Sequence, residues 1–149
     1  MKYPQLSYNQ VLLRTSMTNS ATVTANFDTI IATRGKANFA TLKFVFHTEL
    51  NTNGVGPTIQ VLHSDDTVVT NFATITANVT PGLETGHARI YLIPLNGKKR
   101  YLRVSVSTAT ATNDNITFSC LGTLDYLGQQ PSSTTDMVSS TNDAVTIVT

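Results

Sequence analysis

The chain has 149 residues, 26 of them Thr and none Trp, with 13% charged residues and a formal net charge of +1. That length fits one domain, and a 40% hydrophobic content with almost no net charge is neither disordered-type nor nucleic-acid-type. Thr and Val lose χ1 freedom in helices and suit a pleated surface, while the usual helix formers are thinly spread, which excludes a helical bundle or coiled coil and leaves no crossover helices for an α/β nucleotide fold.

Strand-like runs follow one another with turn signals between them. The first is read at residues 10–15 and the second at 21–27, where Val23, Ala25 and Phe27 alternate with Thr22, Thr24 and Asn26. Residues 29–38, holding Arg34, Gly35 and Lys36, read as a turn region. Residues 39–48 place Leu42, Phe44 and Phe46 on one face and Thr41, Lys43 and His47 on the other, as a half-buried strand requires. The loop 51–57 carries Asn53–Gly54 followed by Gly56 and Pro57, strand character resumes over 58–63, and Ser64, Asp65 and Asp66 turn the chain. Residues 68–79 are Thr-rich and read as one long strand or two short ones. A loop with Pro81–Gly82 and Thr85–Gly86 precedes a strand at 88–93, and Asn96–Gly97 makes the next turn. Residues 100–107 point Leu102, Val104 and Val106 inward, and Tyr101, Arg103, Ser105 and Ser107 outward. The last core strand, 116–126, alternates Ile116, Phe118 and Cys120 with Thr117 and Ser119.

About eight short, evenly spaced strands indicate an all-β fold, a single antiparallel β-sandwich or jelly roll with an extended C-terminal tail. The expected division is a β-sandwich domain over residues 1–130 and a polar linker with a β-forming arm over 131–149. Gln129, Gln130 and Pro131 open the linker, and no Lys or Arg occurs from Leu121 onward. The apolar segment Ala144, Val145, Thr146, Ile147 and Val148 is too short to bury itself. It either pairs with its own domain's edge, adds a strand to a neighbouring chain, or frays.

The candidate chemistry is sparse. With Cys120 alone there is no intrachain disulfide, and its place on an apolar face makes it a core residue rather than a nucleophile. His47, His63 and His87 are too far apart in sequence for a metal motif, and no nucleophile elbow or phosphate-cradling loop is present. Neither catalytic residues, nor a metal, nor a cofactor are expected. Residues 1–10 are polar and show no signal-peptide pattern, and no apolar run approaches the ~18 residues of a membrane helix, so synthesis in a cytoplasm and no membrane partner are the expectations. Lys98, Lys99, Arg100 and Arg103 form the one basic cluster, with Arg89 a possible fifth member on an adjacent strand. Nucleic-acid binding would need more charge and more stacking aromatics, so the cluster reads either as a solvated turn or as a contact for an acidic protein surface.

The succession "TVTANFDT" at 22–29, Arg34–Gly35, "FATLKFVFHTE" at 39–49, "IQVLHSDD" at 59–66, "GKKRYLRVSVS" at 97–107 and "LGTLDYLGQQP" at 121–131 resembles small head proteins of tailed bacteriophages. The resemblance is in particular to capsid decoration, or cement, proteins of β-sandwich type, and it spans residues 21–131. It implies a non-enzymatic virion protein on the outer capsid surface, made in the host cytoplasm. The implied partners are the major capsid protein lattice, which it stabilises, and further copies of itself, with a trimer favoured. The expected contacts are Lys98, Lys99, Arg100, Arg103 and the segment Ala144, Val145, Thr146, Ile147 and Val148. The alternative is a carbohydrate- or receptor-binding β-sandwich of a viral fibre or spike. The missing Trp counts against sugar stacking, which would fall to Tyr3, Tyr8, Tyr91, Tyr101 or Tyr126.

Overall fold

The β-branched runs form nine strands in the computed structural model, which describes residues 8–17, 21–30, 37–47, 57–76, 88–108, 116–125 and 144–148. They are β1 (Tyr8–Met17), β2 (Thr22–Asp28), β3 (Phe39–Phe46), β4 (Thr58–Ser64), β5 (Ala73–Thr74), β6 (Ala88–Pro94), β7 (Tyr101–Ser107), β8 (Ile116–Asp125) and β9 (Ala144–Ile147). One sheet has the order β1-β8-β3-β6-β9 and the other β2-β7-β4-β5.

Among the first eight strands the antiparallel pairs are β1 with β8, β2 with β7, β3 with β6, and β4 with β5. This is one long hairpin, with β4 and β5 at its tip and β1 and β8 at its base, folded over so that β3 meets β8 and β4 meets β7. The sandwich is therefore a jelly roll. The strand β9 lies outside that scheme and pairs in parallel with β6, Arg89 opposite Ala144 and Leu92 opposite Ile147.

The alternation read in the sequence becomes the inter-sheet core. Leu42, Phe44, Phe118 and Cys120 from one sheet meet Phe27, Ile59, Val104 and Val106 from the other, all fully buried. Phe44 meets Tyr91 edge-on at 5.9 Å, and Phe46 packs on Phe118 at 5.8 Å. The register of β1 against β8 shifts between Val11 and Leu13. Such a bulge turns two consecutive residues toward one side, and both Leu12 and Leu13 pack against the core. On β8, Gly122, opposite Gln10, is needed for close approach, since a Cβ there would lie 3.1 Å from Leu12 Cδ1 and from the Phe27 ring.

The expected strand over 68–79 is not formed as such. Within its described part the chain makes a 3-10 turn at Val69–Asn71 and then the two-residue β5. The Asp66 carboxylate accepts the Val68 N–H at 2.9 Å and the Asn71 side-chain amide at 2.8 Å, and the Asn71 N–H donates to Val68 O. A side chain that satisfies backbone donors locally competes with a strand ladder. Val68 and Val69 are left exposed.

β6 is apolar on both faces. Tyr91 and Ile93 belong to the inter-sheet core, whereas Ala88, Ile90 and Leu92 are buried outside it. A strand buried on both sides reads as a near-continuous apolar run. It is the strand that β9 joins, so the apolar terminal segment finds a partner within its own sheet. No helix of the described residues is long and apolar enough to cross a membrane.

Candidate partner-binding surface

The basic cluster sits where three strands of the smaller sheet end in register, since both Asp28 of β2 and Ser64 of β4 lie opposite Tyr101 of β7. The chain reaches this corner from β6 through a turn in which the Lys98 N–H donates to Leu95 O. Gly97 takes φ +76 there, a conformation that L side chains rarely adopt. Because β6 and β7 belong to different sheets, this is a crossing between layers and not a hairpin.

Two of the cations are matched within the chain. Arg100 donates through Nε and a terminal amine to the two oxygens of Asp28, at 3.0 and 2.6 Å, and its guanidinium lies 4.8 Å from the Tyr101 ring centre. The Arg100 contact holds the Asp28 carboxyl below the usual carboxylate range, against the opposing pull of burial. Lys99 Nζ lies 3.4 Å from Asp65, and the Lys99 N–H donates to His63 Nδ1 at 3.3 Å. Burial first, and then the charges of Lys99 and Lys98, hold His63 below its ordinary pKa.

Arg103 departs from the outward reading. It is 8% exposed: Nε donates to Asn26 Oδ1 at 2.8 Å, a terminal amine donates to Thr67 O at 3.4 Å, and the guanidinium lies 3.7 Å from the Phe72 ring centre. The 3-10 turn that replaces the expected strand carries Phe72 over this face, which turns Arg103 into a structural cation. Arg89 does not join the cluster, because it lies on β6 in the other sheet, paired in register with the core residue Phe44. Its Nε and the Tyr91 hydroxyl are buried without hydrogen-bond partners. Burial raises the Tyr91 pKa, and the neighbouring Arg89 acts the other way.

The second group of expected contacts, the terminal segment, lies on a different part of the surface. Ala144–Ile147 is the outer strand of the larger sheet, with one edge committed to β6. The Val148 N–H donates to Leu92 O at 2.9 Å, and the Val148 side chain is 4% exposed within the core. Val148 is thus a packing residue of its own domain, because the parallel register carries it past Leu92 into the sandwich.

Of the tyrosines, Tyr91 is fully buried, Tyr8 stacks on Phe27 at 6.4 Å, and Tyr101 lies beneath Arg100; Tyr3 and Tyr126 fall outside the described residues. His47 shares a 2.6 Å hydrogen bond with Ser119, and His87 lies outside the described residues. Cys120 is fully buried, which pushes its thiol pKa strongly up. Among the described residues no group of three or more His, Cys, Asp or Glu could hold a metal ion. Reading the sequence missed Asp28 as the partner of Arg100, and no local signal could have found it, since the two are 72 residues apart.

No protein-family model matches the chain, and no curated protein sequence does. Among solved structures, the chain is similar to the infectious bursal disease virus VP2 subviral particle at 15% identity and a TM-score of 0.46, covering 86% of this chain and 34% of that one. It is similar to the Gt strain of the same virus at 17% identity and a TM-score of 0.44, covering 86% of this chain and 35% of that one. The chain spans about a third of the length of these viral chains. Likeness of this degree says nothing of what the chain binds.

Proposed function

We propose that the protein is a non-enzymatic virion component that decorates a bacteriophage capsid and stabilises it by binding the major capsid protein lattice. The observation that carries this reading is a surface with few charges, two of whose cations are closed by acids of the same chain, Arg100 by Asp28 and Lys99 by Asp65. Covering such a surface with another protein avoids the cost of burying an unpaired charge, several kcal/mol per ion. Short Ser, Thr and Asn side chains add donors and acceptors at low conformational cost. Ser16 already pairs with Thr117 at 2.8 Å, and Thr123 with Asn9 at 2.8 Å, along the larger sheet. The jelly roll is compatible with the role, although capsid and lectin domains both use it.

In this reading the contacts are the corner formed by the half-buried Lys98 and the exposed Lys99 and Arg100, and the backbone edge of β9 turned away from β6. Many modest contacts repeated over a lattice make up for the lack of one strong site. Purified particles test it: the protein should co-sediment with capsids at a copy number set by the lattice. Recovery only as free protein would refute it, and specific hits on a glycan array would favour the receptor-binding alternative.

A further inference from the structure

We infer that β2 is the seam of a two-fold homodimer, in which the smaller sheets of two copies join edge to edge into one eight-stranded sheet. Among the described residues the two sheets have four edges, β1, β9, β2 and β5. Unpaired edges invite other strands, and proteins blunt them by shortness, bulges, charge or proline. Three of the four are blunted: β5 has two residues and β9 four, and β1 carries a bulge and Arg14. β2 is not. Its seven residues, TVTANFD, pair with β7 in unbroken register and include no Lys, Arg, Pro or bulge. Its single charge, Asp28, is already matched by Arg100 of the same chain.

The ladder shows which backbone groups face outward. At one end of β2 the Thr108 N–H donates to Ala21 O, and at the other the Thr29 N–H donates to Arg100 O. The odd-numbered residues therefore bond to β7, and Thr22, Thr24, Asn26 and Asp28 present their N–H and C=O groups to the open edge.

A second copy fits this edge because the strand is complementary to itself about Ala25. In an antiparallel two-fold pairing, Thr24 lies opposite the partner's Asn26 and Thr22 opposite the partner's Asp28, so that no acid faces an acid. All four are outward-bonding residues, as hydrogen-bonded pairs require. Val23 lies opposite the partner's Phe27 on the core side, which covers the half-exposed flanks of Val23 and Ala25. A two-fold contact departs from the trimer that the phage resemblance implies. It also does not rest on capsid binding, since it can be measured with no capsid present.

Three variants of the full chain test the seam. Sedimentation of the unmodified protein should show a dimer, and Thr24→Pro should return it to monomer, because that proline removes an N–H from the open edge and none from the β7 ladder. Ala25→Cys should form a disulfide-linked dimer on mild oxidation. Opposed residues at a non-hydrogen-bonded position have Cα atoms about 4.5 Å apart, within disulfide reach. Val23→Cys should not cross-link, and the buried Cys120 should stay silent in both. An unmodified chain that sediments as a monomer overturns the inference. So does a dimer that survives Thr24→Pro, or equal cross-linking by Val23→Cys and Ala25→Cys.

Discussion

Truncating Val148 to alanine tests whether the terminal segment belongs to the fold. Val148 is 4% exposed and packs in the inter-sheet core, while its N–H donates to Leu92 O. Val148→Ala removes two methyl-sized groups, worth about 1.6 kcal/mol at about 0.8 kcal/mol per buried CH2. The cavity left behind raises the cost to about 2 kcal/mol. For a chain of this size that lowers Tm by about 6 °C, at roughly 3 °C per kcal/mol. Urea unfolding followed by circular dichroism should show the midpoint falling with an unchanged slope, as expected when stability changes and the unfolded state does not. An unaltered midpoint would refute the packing of β9 and return the segment to a free arm.

Gly122→Ala should destabilise by about 1–3 kcal/mol, the usual range for overpacking, because its Cβ would crowd the buried Phe27 ring at 3.1 Å. Adding Leu12→Ala should recover part of the loss in the same urea assay. Arg103→Met should cost about 1–2 kcal/mol by thermal melt, since it removes the hydrogen bonds that the buried guanidinium donates to Asn26 and Thr67. Lys99→Ala should cost no more than about 0.5 kcal/mol, its ion pair being exposed. In acid, the Asp28 pKa is lowered by Arg100, so this pair's stabilisation is present above the unfolded carboxylate pKa, about 3.9, and is lost as pH falls through the lower folded value. Asp28→Asn should therefore flatten the acid limb of a Tm-against-pH curve. Asp66, lowered by Asn71, acts in the same direction, and Asp125, raised by burial, acts in the opposite one.

Placement of the strands was legible where one face is buried and the other wet. In β3 and β7 the alternation of apolar and polar residues named Leu42, Phe44, Phe46, Leu102, Val104 and Val106 as core, and all six are buried. The reading failed where a side chain overrode the pattern. Residues 68–76 look β-forming, yet the Asp66 carboxylate gathers the local donors into a turn. Arg103 looks solvated, yet that turn brings Phe72 over it. The basic cluster was visible as a run of charges. Its neutralisation was not, because Asp28 lies on a strand that only sheet pairing brings beside β7.

The low charge, the abundance of Thr and the period of two suffice for an all-β sandwich, because side-chain shape and alternating burial act over a few neighbouring residues. They leave open which strands pair. β1 and β8 begin more than a hundred residues apart, and their union, like the parallel seat of β9 beside β6, follows from long-range packing that no local window contains. The same pairing places β2 at an edge of its sheet among the described residues. Nothing in the run TVTANFD distinguishes an edge strand from a central one until its neighbours are in place.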